Sequence, residues 1–262
     1  MLKVEIKKLF HTKMIYISIL LGVIACSFGL IRYYDDVYIF KAVGEPSAIT
    51  AYNAWLSCLS GGSSLYRIVV PLLIVPFLGS YFVERKSGYQ NFLPTRCSRL
   101  KYFCSKLAVG IGSAILIVAV TLVITLAVCL FLFPANDPRP EFTFFNDQRL
   151  NSFYVSNPIV CICVLITLNM FFASLYYSIG FGLSCFVKNR YILMMIPFIL
   201  FVAQLVIWET IDIPWLCPLI FIAPYEAADF SIGNACIAAA VLILASIILL
   251  VNCYRKDKQE VI

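Results

Sequence analysis

Chemistry needs particular side chains within reach of one another, and this sequence is sparing with them. It has one histidine, His11, and fourteen Asp and Glu among 262 residues. No His-Glu-x-x-His run is present, and there is no G-x-x-x-x-G-K-[ST] loop, the backbone cradle that holds nucleotide phosphates. The eleven cysteines are scattered, most of them in apolar stretches: Cys26, Cys129, Cys161, Cys163, Cys185, Cys236 and Cys253. A buried free thiol acts as a small hydrophobe. Cys161 and Cys163 are two residues apart, which on a helix turns them about 200° from each other, so they cannot share one metal. Cys58 and Cys217 lie between apolar stretches, and the sequence leaves their pairing open. This usage points to a reducing compartment and no disulfide framework. The expectation is therefore no catalytic residue, no metal site and no cofactor held by this chain. Three charges sit beside apolar stretches: Arg67, Glu209 and Asp212. A charge at mid-bilayer costs roughly 2.5–3.5 kcal/mol on insertion scales, and a position near the end of a span relieves much of that by snorkelling. These three are candidates for an outer gate or path, or for interfacial anchors, with Arg67 expected to pair with Glu209 across the outer mouth.

The elements that must position these groups are apolar. The chain is 62% hydrophobic and 13% charged, where a soluble domain carries about 25% charged residues. A spanning helix needs roughly 20 mostly apolar residues. Six blocks qualify: Met14–Ile31, Leu65–Val83, Leu107–Phe133, Pro158–Val187, Tyr191–Ile211 and Gly233–Cys253. Only Lys188-Asn189-Arg190 separates the fourth from the fifth, which forces an antiparallel hairpin. Backbone groups in lipid must be satisfied within the segment, so the blocks are expected to be helices; the alternating ten-residue segments of a β-barrel are absent. The start, basic and then apolar, resembles a signal peptide. The apolar run continues past Cys26 through Phe28, Leu30 and Ile31, so an uncleaved first helix is expected. The fold class read from the sequence is an all-α membrane protein, with residues 1–262 a single six-span domain.

Charge sets the expected orientation. With the N-terminus, the 84–106 loop, the 188–190 turn and the C-terminal tail on one side, that side holds 15 of the 20 Lys and Arg and 4 of the 14 acids. Lys/Arg bias places it in the cytoplasm, with both termini there, in a multi-pass protein of the cell membrane. The net charge of +6 then reads as topology and affinity for anionic headgroups. Nucleic acid is not an expected partner, because no aromatic-interleaved basic patch or binding motif is present.

The connections differ in character. In the first thirteen residues, Leu2, Ile6, Leu9 and Phe10 form one stripe, with Lys3, Lys7 and Lys8 off it. This predicts a short amphipathic helix at the membrane surface that anchors the first span or also touches a cytoplasmic partner. The 84–106 loop is 23 residues long, with six basic residues, one acid, and Tyr89, Phe92, Leu93, Leu100, Tyr102 and Phe103. A plain connection needs only about 2–8 residues, so a short helix broken near Pro94 and a docking surface are expected. Residues 32–64 and 134–157 are read as polar outer segments. Residues 212–232 are apolar but Pro-broken, and are expected in the outer interface or dipping back into the membrane. Gly180, Gly182 and Ser184 are expected to permit close helix packing.

The residues Phe82, Glu84-Arg85, Gly88, Leu93, Thr95-Arg96, Ser98-Arg99, Tyr102 and Lys106 resemble the cytoplasmic loop between the second and third spans of ABC-2 type permeases, the membrane-spanning subunits of ATP-driven exporters. The layout resembles that family along the whole chain. The resemblance implies a coupling helix in 84–106 that fits a groove on an ATP-binding cassette subunit, with Glu84, Arg85, Gly88, Arg96 and Arg99 touching it. It implies two ATPase subunits, carrying ATP and magnesium, and a second six-span subunit, identical or paralogous. It also implies short re-entrant helices before the sixth span. The function implied is export of an amphipathic or hydrophobic cargo, such as an antimicrobial peptide, a lipid or a drug; the scarcity of charge within the spans agrees with such a cargo. The other classes weighed are an intramembrane enzyme, which lacks its paired groups, a secondary transporter, which would need repeated Gly/Pro-interrupted spans, and a membrane sensor or scaffold.

Overall fold

A computed structural model describes residues 2–43, 49–60, 65–87, 98–138, 148–211, 213–227 and 231–259. The described residues form helices α1 (Leu2–His11), α2 (Lys13–Val43), α3 (Ala51–Leu59), α4 (Tyr66–Leu73), α5 (Leu78–Lys86), α6 (Arg99–Leu132), α7 (Gln148–Ser156), α8 (Pro158–Leu183), α9 (Arg190–Ile211), α10 (Leu219–Ile222) and α11 (Ile232–Gln259). Six stretches are long and apolar enough to cross a membrane: Lys13–Tyr38, Tyr66–Lys86, Leu100–Leu132, Pro158–Leu183, Arg190–Ile211 and Ile232–Lys256. Helix α8 is central, packed against α6, α9, α10 and α11, and α2 lies on the far side of α6.

Three features depart from the simple apolar blocks. First, the Leu65–Val83 block is not one helix. Its hydrogen-bond ladder stops at Leu73 and restarts at Leu78, with Pro76 in the gap. Proline has no N–H to give the ladder, and its ring clashes with the preceding turn. Short i to i−3 bonds carry the chain across: Val75 N to Leu72 O at 3.4 Å, Leu78 N to Val75 O at 2.9 Å and Ser80 N to Phe77 O at 3.2 Å. Ile74, Val75 and Phe77 are buried, so the irregular backbone lies against protein, as non-helical chain at membrane depth requires.

Second, α2 runs twelve residues past Ile31. Tyr33 and Val37, one turn apart, are buried on this extension. Tyr33 packs edge-on against Phe133 at 5.3 Å, and its hydroxyl accepts from Thr50 N at 3.2 Å.

Third, the segment read as polar contains α3, in which every residue is buried. Thr50 caps it, its hydroxyl accepting from Asn53 N at 3.1 Å, a helix start worth about 1 kcal/mol. The polar side chains of α3 are spent on its neighbours. Trp55 Nε1 donates to Leu122 O at 3.1 Å, Ser57 Oγ to Gly29 O at 3.1 Å, and Asn53 Oδ1 accepts from Tyr154 at 2.8 Å.

Gly182 acts as expected in packing: a Cβ there would lie 2.8 Å from Leu249 Cβ and 3.0 Å from its backbone. That close crossing of α8 and α11 brings Cys185 and Cys253 to a Cα separation of 5.4 Å, and they form a disulfide. The sequence points to no disulfide framework and leaves only Cys58 and Cys217 open as a pair; helix packing, not residue spacing, brings Cys185 to Cys253. Cys58 and Cys217 are both buried and free.

Candidate functional site

Segments assigned to one side by charge meet at one end of the bundle, and an ion cluster joins two of them, the N-terminus and both ends of the 84–106 connection. Lys106, near the start of α6, has 1% of its side chain exposed. Its ammonium lies 2.6 Å from Glu5 Oε2 and 2.8 Å from Glu84 Oε1. Lys8 reaches the same two carboxylates, at 3.4 Å from Glu5 and 3.2 Å from Glu84. The Tyr102 hydroxyl donates to Glu84 Oε2 at 2.5 Å, and Lys106 also stands over the Phe77 ring at 5.3 Å. The helices explain the meeting. Glu5 and Lys8 are three residues apart on one face of α1, Tyr102 and Lys106 are four apart on one face of α6, and Glu84 lies in the last turn of α5. Two acids face two bases, which is how buried charge is tolerated. At Lys8, burial works against the ammonium, but the hydrogen bond and charge of Glu84, with Glu5 adding, outweigh it and hold the pKa above the ordinary lysine value.

This cluster revises the reading of α1. Its protein-facing side carries Glu5 and Leu9, while Val4, Ile6 and Phe10 are exposed. The apolar stripe is therefore split, with Leu9 turned inward and Ile6 and Phe10 left exposed. The available signal for the cluster was that Glu5 and Glu84 are the lone acids of two basic segments.

Glu84, expected to touch a partner, has both carboxylate oxygens engaged within the chain. Arg85 lines a cleft of about 430 Å³ with Phe82, Lys86 and Lys188. Gly88 and Arg96, and with them most of the 84–106 connection, lie outside the described residues. Arg99 begins α6; its side chain lies outside them too.

At the other end of the second span, Arg67 does not pair with Glu209. Its Nη1 donates to Glu226 Oε2 at 3.3 Å, and Ser60 Oγ donates to Glu226 Oε1 at 2.5 Å. Glu209 is exposed on α9, and Asp212 lies outside the described residues. Glu226 takes the place of Glu209 because the 213–227 segment folds inward. Its residues 217–225 are all buried, and Asn169 of α8 clasps it, donating through Nδ2 to Phe221 O at 3.3 Å and Ile222 O at 3.0 Å. Tyr225 donates to Leu56 O of α3 at 2.7 Å.

Among the described residues no group of three or more His, Cys, Asp or Glu is placed to hold a metal ion. Comparisons of the chain with protein-family models, with curated proteins and with solved structures found no match in any of the three.

Proposed function

We propose that this chain is the membrane-spanning permease subunit of an ATP-driven exporter, moving an amphipathic or hydrophobic cargo outward while a separate ATP-binding cassette subunit hydrolyses ATP. The observation that supports this reading most is the ion cluster of Glu5, Lys8, Glu84 and Lys106. It ties the N-terminal helix to both stems of the long basic connection, so a force on that connection is delivered to spans one, two and three together. The interruption at residues 74–77 then gives the second span a place to bend between its ends. In this reading the cleft of Arg85, Lys86 and Lys188 belongs to the surface that receives the ATPase. Asn169 stands eleven residues, about 16 Å, into α8, so the clasped 217–225 segment reaches deep enough to act as a re-entrant cap on the path.

The test is biochemical. Purified from its native membranes, the chain is expected to bring down an ATP-binding cassette protein in a stable complex whose ATP hydrolysis it stimulates, and Arg96→Glu is expected to abolish both. A chain that purifies alone, or an Arg96→Glu variant with full ATPase stimulation, overturns the proposal.

One observation favours a second reading, a secondary transporter: such proteins use Pro-interrupted spans at their binding sites, and the second span is one. The reading needs a matching interruption, and the other five candidate spans are each continuous helix among the described residues. Transport driven by an ion gradient without ATP would establish it.

A further inference from the structure

The basic end of the bundle holds a second feature beside the ion cluster. A cleft of about 440 Å³ opens between α1, α5 and the start of α9. Its lining carries Lys8, His11 and Arg190, with the buried Lys106 behind them, against one carboxylate, Glu84. The rest of its lining includes apolar residues, Met14, Pro76, Phe77 and Val83.

The charges are not all spent within the chain. Lys8 and Lys106 serve the carboxylates already described. Arg190 is exposed and makes no ion pair among the described residues. His11 uses Nδ1 against Lys7 O at 3.1 Å, which leaves Nε2 for a further partner. Gly79 leaves room for Arg190 beside the cleft. A Cβ there would lie 2.9 Å from Arg190 Nε and 2.7 Å from Met194 Cε, so the missing side chain is the space in which the guanidinium crosses α5.

The depth of the cleft matters as much as its charge. From Glu84 to Phe77 is seven residues, about 10 Å along a helix. The cleft therefore runs from the level of the amphipathic α1 inward to the broken turn of the second span. It ends against the first turn of α5, where Gly79 leaves room for Arg190. A ligand that fits carries an anionic group for Arg190 and His11 and an apolar part for Met14, Phe77 and Val83.

We infer that this cleft binds the phosphate headgroup of an anionic phospholipid, with Arg190 and His11 on the phosphate and the glycerol and first methylenes along Met14, Phe77 and Val83. The shared chemistry is phosphate. The lipid is the source because the cleft opens at the end of apolar spans and its lining includes apolar residues that a free phosphate would leave wetted. The inference does not rest on the transport reading, and its test needs no transport.

The full chain is placed in nanodiscs containing phosphatidylcholine and phosphatidylglycerol, released into the gas phase, and the lipids that stay bound are counted by native mass spectrometry. Phosphatidylglycerol is expected to be retained in preference to phosphatidylcholine. Arg190→Gln is expected to weaken that preference about fivefold, the effect of one cation at a membrane surface. Lys188→Gln removes a charge two residues away, in the neighbouring cleft, and is expected to weaken the preference clearly less than Arg190→Gln does. Thermal unfolding of both variants checks that they fold; Arg190 is exposed, so wild-type stability is expected. Equal retention of the two lipids, or an equal loss in the Lys188 variant, overturns the site. Displacement of the lipid by inorganic phosphate would assign the cleft to a soluble anion and overturn the lipid.

Discussion

Two ion clusters stand at opposite ends of the second span, and they are built differently. At the basic end, Lys106 and Glu5 have only 1% and 3% of their side chains exposed, and two acids meet two bases with a tyrosine closing the set. At the other end, Arg67 and Glu226 are 29% and 20% exposed and share one contact at 3.3 Å, with Ser60 as the neutral third member. In the first arrangement Lys106 and Glu5 have no water to fall back on, so these two charges are committed to their partners, while Lys8 and Glu84 close the set from the wetter side. The second is partly wetted and can loosen at small cost. A span fixed at one end, interrupted in the middle and lightly held at the other moves most easily at its lightly held end.

The largest expected effect tests the committed end. Lys106→Met leaves Glu5 without its closest cation, and removing one partner of a buried pair costs about 3–5 kcal/mol. The loss is expected as a lowered unfolding temperature of the purified chain and as release of α1, seen by faster proteolysis. Arg67→Gln, at the wetted end, is expected to cost about 1 kcal/mol or less by the same unfolding measurement. If the two variants proved equally stable, the contrast would be gone. The smallest effect concerns Lys8, half exposed on the rim of the committed cluster. Its folded pKa is raised, so its contribution is fully present below the ordinary lysine value of about 10.5 and is lost as pH rises through the higher folded value. Stability is expected to hold through neutral and mildly alkaline pH and to fall only beyond that, with Lys8→Gln showing less of the alkaline fall in a pH series of unfolding temperatures.

The sequence made the six spans legible because length and hydropathy alone decide what crosses a bilayer. It also grouped the basic segments that Lys106, Glu5 and Glu84 later join. It hid what depends on contact between distant residues. Pro76 was visible, but hydropathy does not register a break in a ladder whose side chains stay apolar. Helix α3 was invisible because Ala51–Leu59 is short and mixed, and is helical through its cap and its burial. Glu209 was the nearer guess for Arg67 because both flank spans; the true partner, Glu226, depends on the inward fold that Asn169 secures.

The order in which the ion cluster's members are made has a consequence for biogenesis. Glu5 leaves the ribosome about a hundred residues before Lys106, which at typical synthesis rates is roughly 5–20 s. During that interval its carboxylate has no buried cation to meet and stays hydrated. Seating of the N-terminal helix therefore waits for the third span to enter the bilayer, and that late closure distinguishes a correctly inserted nascent chain from a stalled one.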